Sequence, residues 1–106
     1  MTLSFEEYSK NAKATCLPTA WNEEYLCTGL LAEAGESAAL LAKEIRDGAK
    51  EDTKEKKLAE LSDILWFLSL YSEFLGSSLE EIAEYNNKKL LSRMERGKLQ
   101  GSGDFR

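Results

Sequence analysis

Apolar residues recur every three or four positions along most of the chain, which is the spacing of amphipathic α-helices. Two capping boxes, Ser4 with Glu7 and Ser78 with Glu81, mark helix starts. The helices are predicted over about 4–14, 22–47, 53–75 and 79–93, with the second starting between residues 20 and 22. No alternation long enough to form a strand is present. The pattern therefore predicts an all-α fold in one domain, residues 1–106.

The segments between and after the helices have their own composition. The stretch 49–57 is highly charged and is predicted to be a solvated turn and helix start. The segment 96–106 is rich in glycine, so we expect a flexible C-terminal tail. The third helix is apolar nearly all round from Ile64, which predicts a buried central helix. The predicted core face of the second helix consists of Leu26, Leu30, Leu31, Ala34, Ala38, Leu41 and Ile45.

Composition narrows the function classes. The chain has 106 residues and a net charge of −5, which argues against a general nucleic-acid binder. It contains two cysteines and no histidine, which argues against a zinc finger, a disulfide scaffold and histidine-based catalysis. The N-terminus is polar, and the longest apolar run is shorter than the roughly 20 residues of a membrane span. We expect a cytoplasmic protein without membrane contact, and apolar faces on a small domain favour oligomerisation.

Two pairs of acidic residues stand beside the apolar stripes of the two long helices. Glu33 and Glu36 lie three positions apart, as do Glu60 and Asp63, so each pair shares a helix face. Four carboxylates converging between packed helices repel one another unless a cation joins them, and oxygen ligands favour Mg²⁺ or Mn²⁺. The alternatives are ordinary surface acids and a di-iron carboxylate bundle. The second is poor because such bundles use a Glu-x-x-His motif.

The fourth helix presents a basic cluster. Lys89, Arg93 and Arg96 recur at spacings of four and three. A basic helix C-terminus is favourable in itself because of the helix dipole. Beside a metal–carboxylate site, the same cluster is suited to phosphate oxygens. The tail, with Asp104 and Arg106, is then long enough to fold over a bound triphosphate.

In order, these motifs read E-x-x-E, E-x-x-D and N-x-x-K-L-x-x-R. The combination resembles the MazG-like, all-α nucleoside triphosphate pyrophosphohydrolases, and the resemblance covers about 21–106. Many members of that family carry a further acid before the first glutamate, where this chain has Ala32. The motif residues in this chain are Glu33, Glu36, Glu60, Asp63, Asn86, Lys89 and Arg93.

The resemblance implies a four-helix bundle and Mg²⁺-dependent hydrolysis of a nucleoside triphosphate between its α and β phosphates. It implies that Glu33, Glu36, Glu60 and Asp63 bind the metal, and Glu33 or Glu36 is our candidate general base. It implies a homodimer or a dimer of dimers. Trp21 is the predicted platform for the base. The residues implied for phosphate binding are Asn86, Lys89 and Arg93, with Arg96 a weaker candidate.

Two other functions fit the same sequence. One is hydrolysis of a different nucleotide phosphoanhydride, such as a nucleotide sugar or a diphosphate. The other is a helical interaction module without catalysis. The first would release a product other than pyrophosphate, whereas the second would neither turn over substrate nor be stabilised by a metal ion.

Overall fold

The structure, a computed structural model, describes residues 2–48 and 53–106. These residues form helices joined by short connections, and no strand occurs among them. The all-α prediction is confirmed. The beginning of the charged stretch, residues 49–52, lies outside the described residues. The elements are α1 (Phe5–Ala14), a short 3₁₀ helix (Pro18–Ala20), α2 (Glu23–Asp47), α3 (Lys54–Phe74) and α4 (Leu79–Glu95).

Side-chain caps determine where three of the helices begin. Ser4, Asn22 and Ser78 each accept a hydrogen bond from the backbone N–H three residues later. Each bond satisfies an N–H group that has no partner within its helix. Gly48 ends α2 at a φ of 80°, a backbone conformation that other residues rarely adopt. The observed helices therefore agree closely with the predicted ranges.

The two long helices, α2 and α3, form an antiparallel hairpin. At its closed end the Nζ of Lys57 lies 3.1 Å from Oε2 of Glu44. Nearer the open end, Gly29 of α2 lies directly against the ring of Phe67 of α3. Helices α1 and α4 pack on α3 rather than forming a close layer on α2. The other helices therefore pack on the hairpin formed by α2 and α3.

The core lies at the open end of the hairpin. Its fully packed members are Ala12, Leu26, Phe67 and Leu70, with half-buried aromatic residues around them. The predicted core face of α2 is wrong from Leu31 onward, and Leu31 and Ile45 are 75% and 77% exposed. In the described part of the chain α1 and α4 pack on α3, so neither helix covers this part of α2.

Fewer residues of the apolar run in α3 are buried than the sequence predicts. Phe67 and Leu70 are buried, but Ile64 is only half-buried and Leu75 is 61% exposed. The apolar run therefore does not make a central helix that is covered on every side. In a single chain, too few neighbouring helices are available to surround it.

The single chain is more open than a compact monomer of its length. Its radius of gyration is 16.8 Å, against about 13 Å for a compact domain of this size. Its accessible surface is 8112 Å², roughly 2,000 Å² more than is usual for its mass. Large apolar side chains of α2, α3 and α4 are among the exposed residues. None of the helices in the described ranges is long and apolar enough to cross a bilayer.

Candidate metal centre

Three carboxylates meet where α2 faces α3. Glu33 and Glu36 project from one face of α2, and Glu60 projects from the neighbouring turn of α3. One oxygen of each residue lies within 4.8 Å of an oxygen of the other two. The structure thus brings together three of the four predicted metal ligands, from two separate stretches of sequence.

Two oxygens of this acidic triad, Glu33, Glu36 and Glu60, are buried and unpartnered. Oε2 of Glu33 and Oε2 of Glu60 accept no hydrogen bond from the residues that the structure describes. Leaving a buried carboxylate oxygen unpaired is costly, and the proximity of like charges adds to that cost. A hard divalent cation relieves both costs, because Mg²⁺ and Mn²⁺ take carboxylate oxygen ligands. The residues present therefore fit such an ion.

Asp63, the fourth predicted ligand, lies at the edge of the triad. Its side chain is exposed and is not among the three whose oxygens cluster. Its negative charge nevertheless raises the pKa of Glu33, Glu60 and Tyr8. Asp63 therefore lies near the triad, but its carboxylate oxygens are not among those that cluster.

Two members of the triad, Glu33 and Glu60, have a pKa above that of a free carboxyl group. Partial burial raises the pKa of Glu33 above the usual 4.5, and the negative charges of Glu36 and Asp63 raise it further. The pKa of Glu60 is raised by the same causes in the same order. Desolvation and neighbouring acids both disfavour the charged form. Without a cation, these two carboxyl groups therefore bind protons more readily in the folded chain than in the unfolded chain.

The raised pKa values of Glu33 and Glu60 predict that the stabilisation of the protein by Mg²⁺ depends on pH. Because the pKa of Glu33 and of Glu60 is raised on folding, the metal-free protein loses stability as the pH rises from about 4.5 through the raised pKa values. Mg²⁺ needs deprotonated ligands, so its affinity increases over the same range. Thermal unfolding with Mg²⁺ and with EDTA should show a Tm difference that grows from about pH 5 to about pH 7.5. A Tm difference that does not change with pH would contradict this assignment.

Two shallow depressions are lined by predicted metal ligands, one by Glu36 and Glu60 of the triad and the other by Asp63. One has a volume of about 240 Å³ and brings Lys43 beside Glu36 and Glu60. The other, of about 430 Å³, lies between α1 and α3 and continues from Asp63 to Trp66. A negative cluster flanked by a lysine on one side and an indole on the other can receive a charged group and a planar group at once. The second depression is lined by Tyr8, Thr15, Ser62, Asp63 and Trp66.

Comparison with known proteins places the chain in a family. It is 39% identical over 85 residues to the Gene 37 protein of Mycobacterium phage L5, covering 77% of this chain and 75% of the phage protein. This chain belongs to the Gene 37 protein family. No protein-family model matches it. No solved structure matches it either.

The name of the Gene 37 protein states no activity, so the function of this family member has to be argued from its site. Sequence reasoning missed Lys43, although it lies seven residues after Glu36 and therefore on the same helix face. It also missed Tyr8 and Thr15. These two come from α1, and no local pattern links them to acids on α3.

Trp21, the predicted platform for a base, packs away from the triad. Its ring contacts Phe74 edge to face at 5.5 Å, and the Nζ of Lys13 lies 2.9 Å from its ring centroid. Phe74 lies about 16 Å along α3 from Asp63. The indole beside the acids is Trp66, whose Nε1 donates a hydrogen bond to Oγ1 of Thr15 at 3.0 Å. Base stacking on Trp21 stays a prediction, and the geometry favours Trp66.

The predicted phosphate-binding residues lie together on α4 in this Gene 37 family member. Asn86 is exposed, whereas Lys89, Arg93 and Arg96 all contact the C-terminal segment. Within the described residues, no hydrogen bond or ion pair joins these basic side chains to the acidic triad. One chain therefore forms an acidic half-site and a basic half-site without joining them.

The C-terminal segment has more structure than a flexible tail predicts. Residues 98–106 fold back along α4 and are held there by hydrogen bonds from Arg93 and Arg96, while Arg106 donates to a backbone oxygen within the segment. Flexibility in solution stays a prediction. The conformation seen here is a closed loop, hereafter the C-terminal loop.

Proposed function

We propose that this protein is a Mg²⁺-dependent pyrophosphohydrolase of nucleoside or deoxynucleoside triphosphates, with Mn²⁺ as a substitute ion. The products are the nucleoside monophosphate and pyrophosphate. The observation that supports this most strongly is the acidic triad between α2 and α3, with buried oxygens that lack partners. The proposal includes the four-helix, MazG-like architecture that the sequence motifs imply, and a role in maintaining nucleotide pools.

Within this proposal Glu33, Glu36 and Glu60 hold the ion, with Asp63 as a fourth ligand when its side chain turns inward. When bound, Mg²⁺ neutralises phosphate charge and lowers the pKa of a bound water. Glu36 is the exposed member of the triad, so its carboxylate is the best placed to accept the proton of the attacking water. The water oxygen bonds to the α-phosphorus as the bond to the leaving pyrophosphate breaks. Lys43 is positioned to bind a phosphate oxygen beside the triad.

A base site is available next to Asp63. The depression between α1 and α3 has the indole of Trp66 on one wall and the phenol of Tyr8 nearby. Aromatic side chains stack on nucleobases regardless of base identity, and the hydroxyl groups of Thr15 and Ser62 can bond to a base edge. The nucleotide would then extend from Trp66 across the acids towards Lys43.

We propose that the active form is a homodimer or a dimer of dimers. A groove of about 520 Å³ between α2 and α3 is lined by Ala34, Ser37, Ala38, Leu41, Lys57 and Leu61. Ala34 and Ser37 directly follow Glu33 and Glu36 in α2. The surplus exposed surface, roughly 2,000 Å², is of the size that stable homodimers bury. A second copy seated in this groove would border the acidic triad. It could then supply the basic residues that one chain keeps apart from it.

The decisive experiment is turnover of a panel of canonical and damaged NTPs and dNTPs, with Mg²⁺ and with EDTA. Pyrophosphate and orthophosphate have to be resolved, and sedimentation should establish the oligomeric state at the concentration used. Metal-dependent release of pyrophosphate is the expected result. Orthophosphate as the sole primary product would favour hydrolysis of another phosphoanhydride. Absence of turnover by the folded oligomer, together with no stabilisation by Mg²⁺, would favour an interaction module.

A further inference from the structure

The basic side chains of α4 already bind an anionic group from their own chain. The carboxylate of Asp104 lies 3.3 Å from Nζ of Lys89 and 3.8 Å from Nη2 of Arg93. Lys89 and Arg93 are two of the residues proposed above to bind substrate phosphates. The Asp104 carboxylate therefore occupies the place between two cations at which a phosphate oxygen would bind.

Arg93 is more deeply buried than Lys89, the other cation of this basic half-site. It is only 5% exposed, and its Nη2 donates to the backbone oxygen of Asp104 at 2.7 Å and of Gly103 at 3.4 Å. Its Nε is buried and has no hydrogen-bond partner among the described residues. A guanidinium has five N–H donors in a rigid fork that suits phosphate oxygens. The carbonyl groups of the loop thus satisfy only part of its capacity.

The C-terminal loop keeps its shape through a second arginine. Arg106 donates to the backbone oxygens of Lys98, Leu99 and Gly103, at 3.1, 3.2 and 2.6 Å. Arg96 in turn donates to the backbone oxygen of Arg106 at 2.9 Å. These hydrogen bonds fix the conformation of the loop, and in that conformation Asp104 lies against α4.

The contact between the loop and α4 is nevertheless easily exchanged. The Asp104 side chain is 75% exposed, and ion pairs with exposed partners contribute little to stability. A pyrophosphate group carries more negative charge than one carboxylate and can engage Lys89 and Arg93 at several oxygens. An incoming polyphosphate should therefore displace the carboxylate.

We propose that Asp104 is an internal competitor for the phosphate-binding residues of α4, and that binding of a polyphosphate releases the C-terminal loop. The identity of the ligand rests on the proposed function, whereas the competition rests on the contacts of Asp104 alone. The loop then has two states, one closed on its own carboxylate and one opened by the substrate. In the closed state it lowers the affinity of the half-site for phosphates.

The test is calorimetric binding of inorganic pyrophosphate to the unsubstituted protein, its Asp104→Asn variant and a matched variant, Glu95→Gln. Glu95 is an exposed acid at the end of α4, so both variants remove one negative charge from the same region. Asp104→Asn should bind pyrophosphate about two- to fivefold more tightly than Glu95→Gln does. In the unsubstituted protein, pyrophosphate should also speed amide hydrogen exchange in residues 98–106.

Equal affinity of the two variants would overturn the proposal, and weaker binding by Asp104→Asn would show that the loop aids binding instead. Absence of pyrophosphate binding by all three proteins would overturn it as well. These results are separable from failure of the proposed function. If the enzyme releases pyrophosphate from nucleotides but both variants have equal affinity for pyrophosphate, only the proposed competition by Asp104 is refuted. If Asp104→Asn binds pyrophosphate more tightly but the protein turns over no nucleotide, the proposed competition stands and the proposed function fails.

Discussion

Glu33→Gln should lower Mg²⁺-dependent release of pyrophosphate from a nucleoside triphosphate by about 100-fold or more, while the fold is retained. Glu33 is one of the two half-buried members of the triad whose Oε2 has no partner among the described residues, so a neutral amide removes a ligand from the site. The same substitution should raise the stability of the metal-free protein, because it removes one of several converging negative charges. Steady-state turnover and thermal unfolding in EDTA measure the two effects.

Glu24→Gln is the matched control for this prediction. Glu24 is an exposed acid in the first turn of the same helix, so its substitution makes the same chemical change away from the triad. Turnover of Glu24→Gln should stay close to that of the unsubstituted protein. If Glu33→Gln also kept full turnover, the acidic triad would not be the metal centre.

Gly29→Ala should destabilise the protein by about 1–3 kcal/mol. Gly29 lies in the N-terminal third of α2, and a Cβ there would come closer than 3.0 Å to three ring atoms of Phe67. Phe67 is a buried member of the core, so its ring cannot move aside without disturbing the packing of α2 on α3. Urea unfolding in EDTA at a fixed protein concentration measures the loss.

Gly35→Ala makes the same change on the same helix with the opposite expected sign. No atom lies within 4 Å of a Cβ built at Gly35, so the substitution adds helix propensity without a clash. We expect a gain of about 0.5–1 kcal/mol in the free energy of unfolding. Equal effects at both positions would show that α2 and α3 do not approach each other closely at Gly29.

The helices were predictable because their signals are local. Ser4, Asn22 and Ser78 cap the helices that follow them, and Gly48 ends α2 where the apolar pattern stops. Each signal acts through a hydrogen bond or a backbone angle within a few residues of itself. No knowledge of distant parts of the chain is needed for such a prediction.

Burial was less predictable, because it depends on which helices become neighbours. Leu31 and Ile45 have the spacing of a core stripe, yet both are exposed. Apolar periodicity identifies the face of a helix that needs a partner, but it does not say whether that partner belongs to the same chain. In this protein the proposed second copy would cover the exposed apolar side chains around the groove between α2 and α3.

In the candidate site too, some features were predictable from the sequence and others depend on helix packing. The spacing of Glu33 and Glu36 determined that they share a face of α2, since residues three apart on a helix always do. That Glu60 joins them, while Asp63 stays at the edge, depends on how α3 is placed against α2. The separation of Trp21 from the acids and the proximity of Trp66 were decided by the same packing.

By itself, the sequence determined the all-α class, the helix boundaries and the pairing of acids within each helix, because hydrogen bonds and side-chain periodicity over a few residues suffice for all three. The tertiary structure decided which carboxylates cluster, that Lys43 and Trp66 flank them, and that Asp104 closes on Lys89 and Arg93. These contacts join residues far apart in the chain. Their geometry is set by the packing of whole helices, which no local pattern encodes.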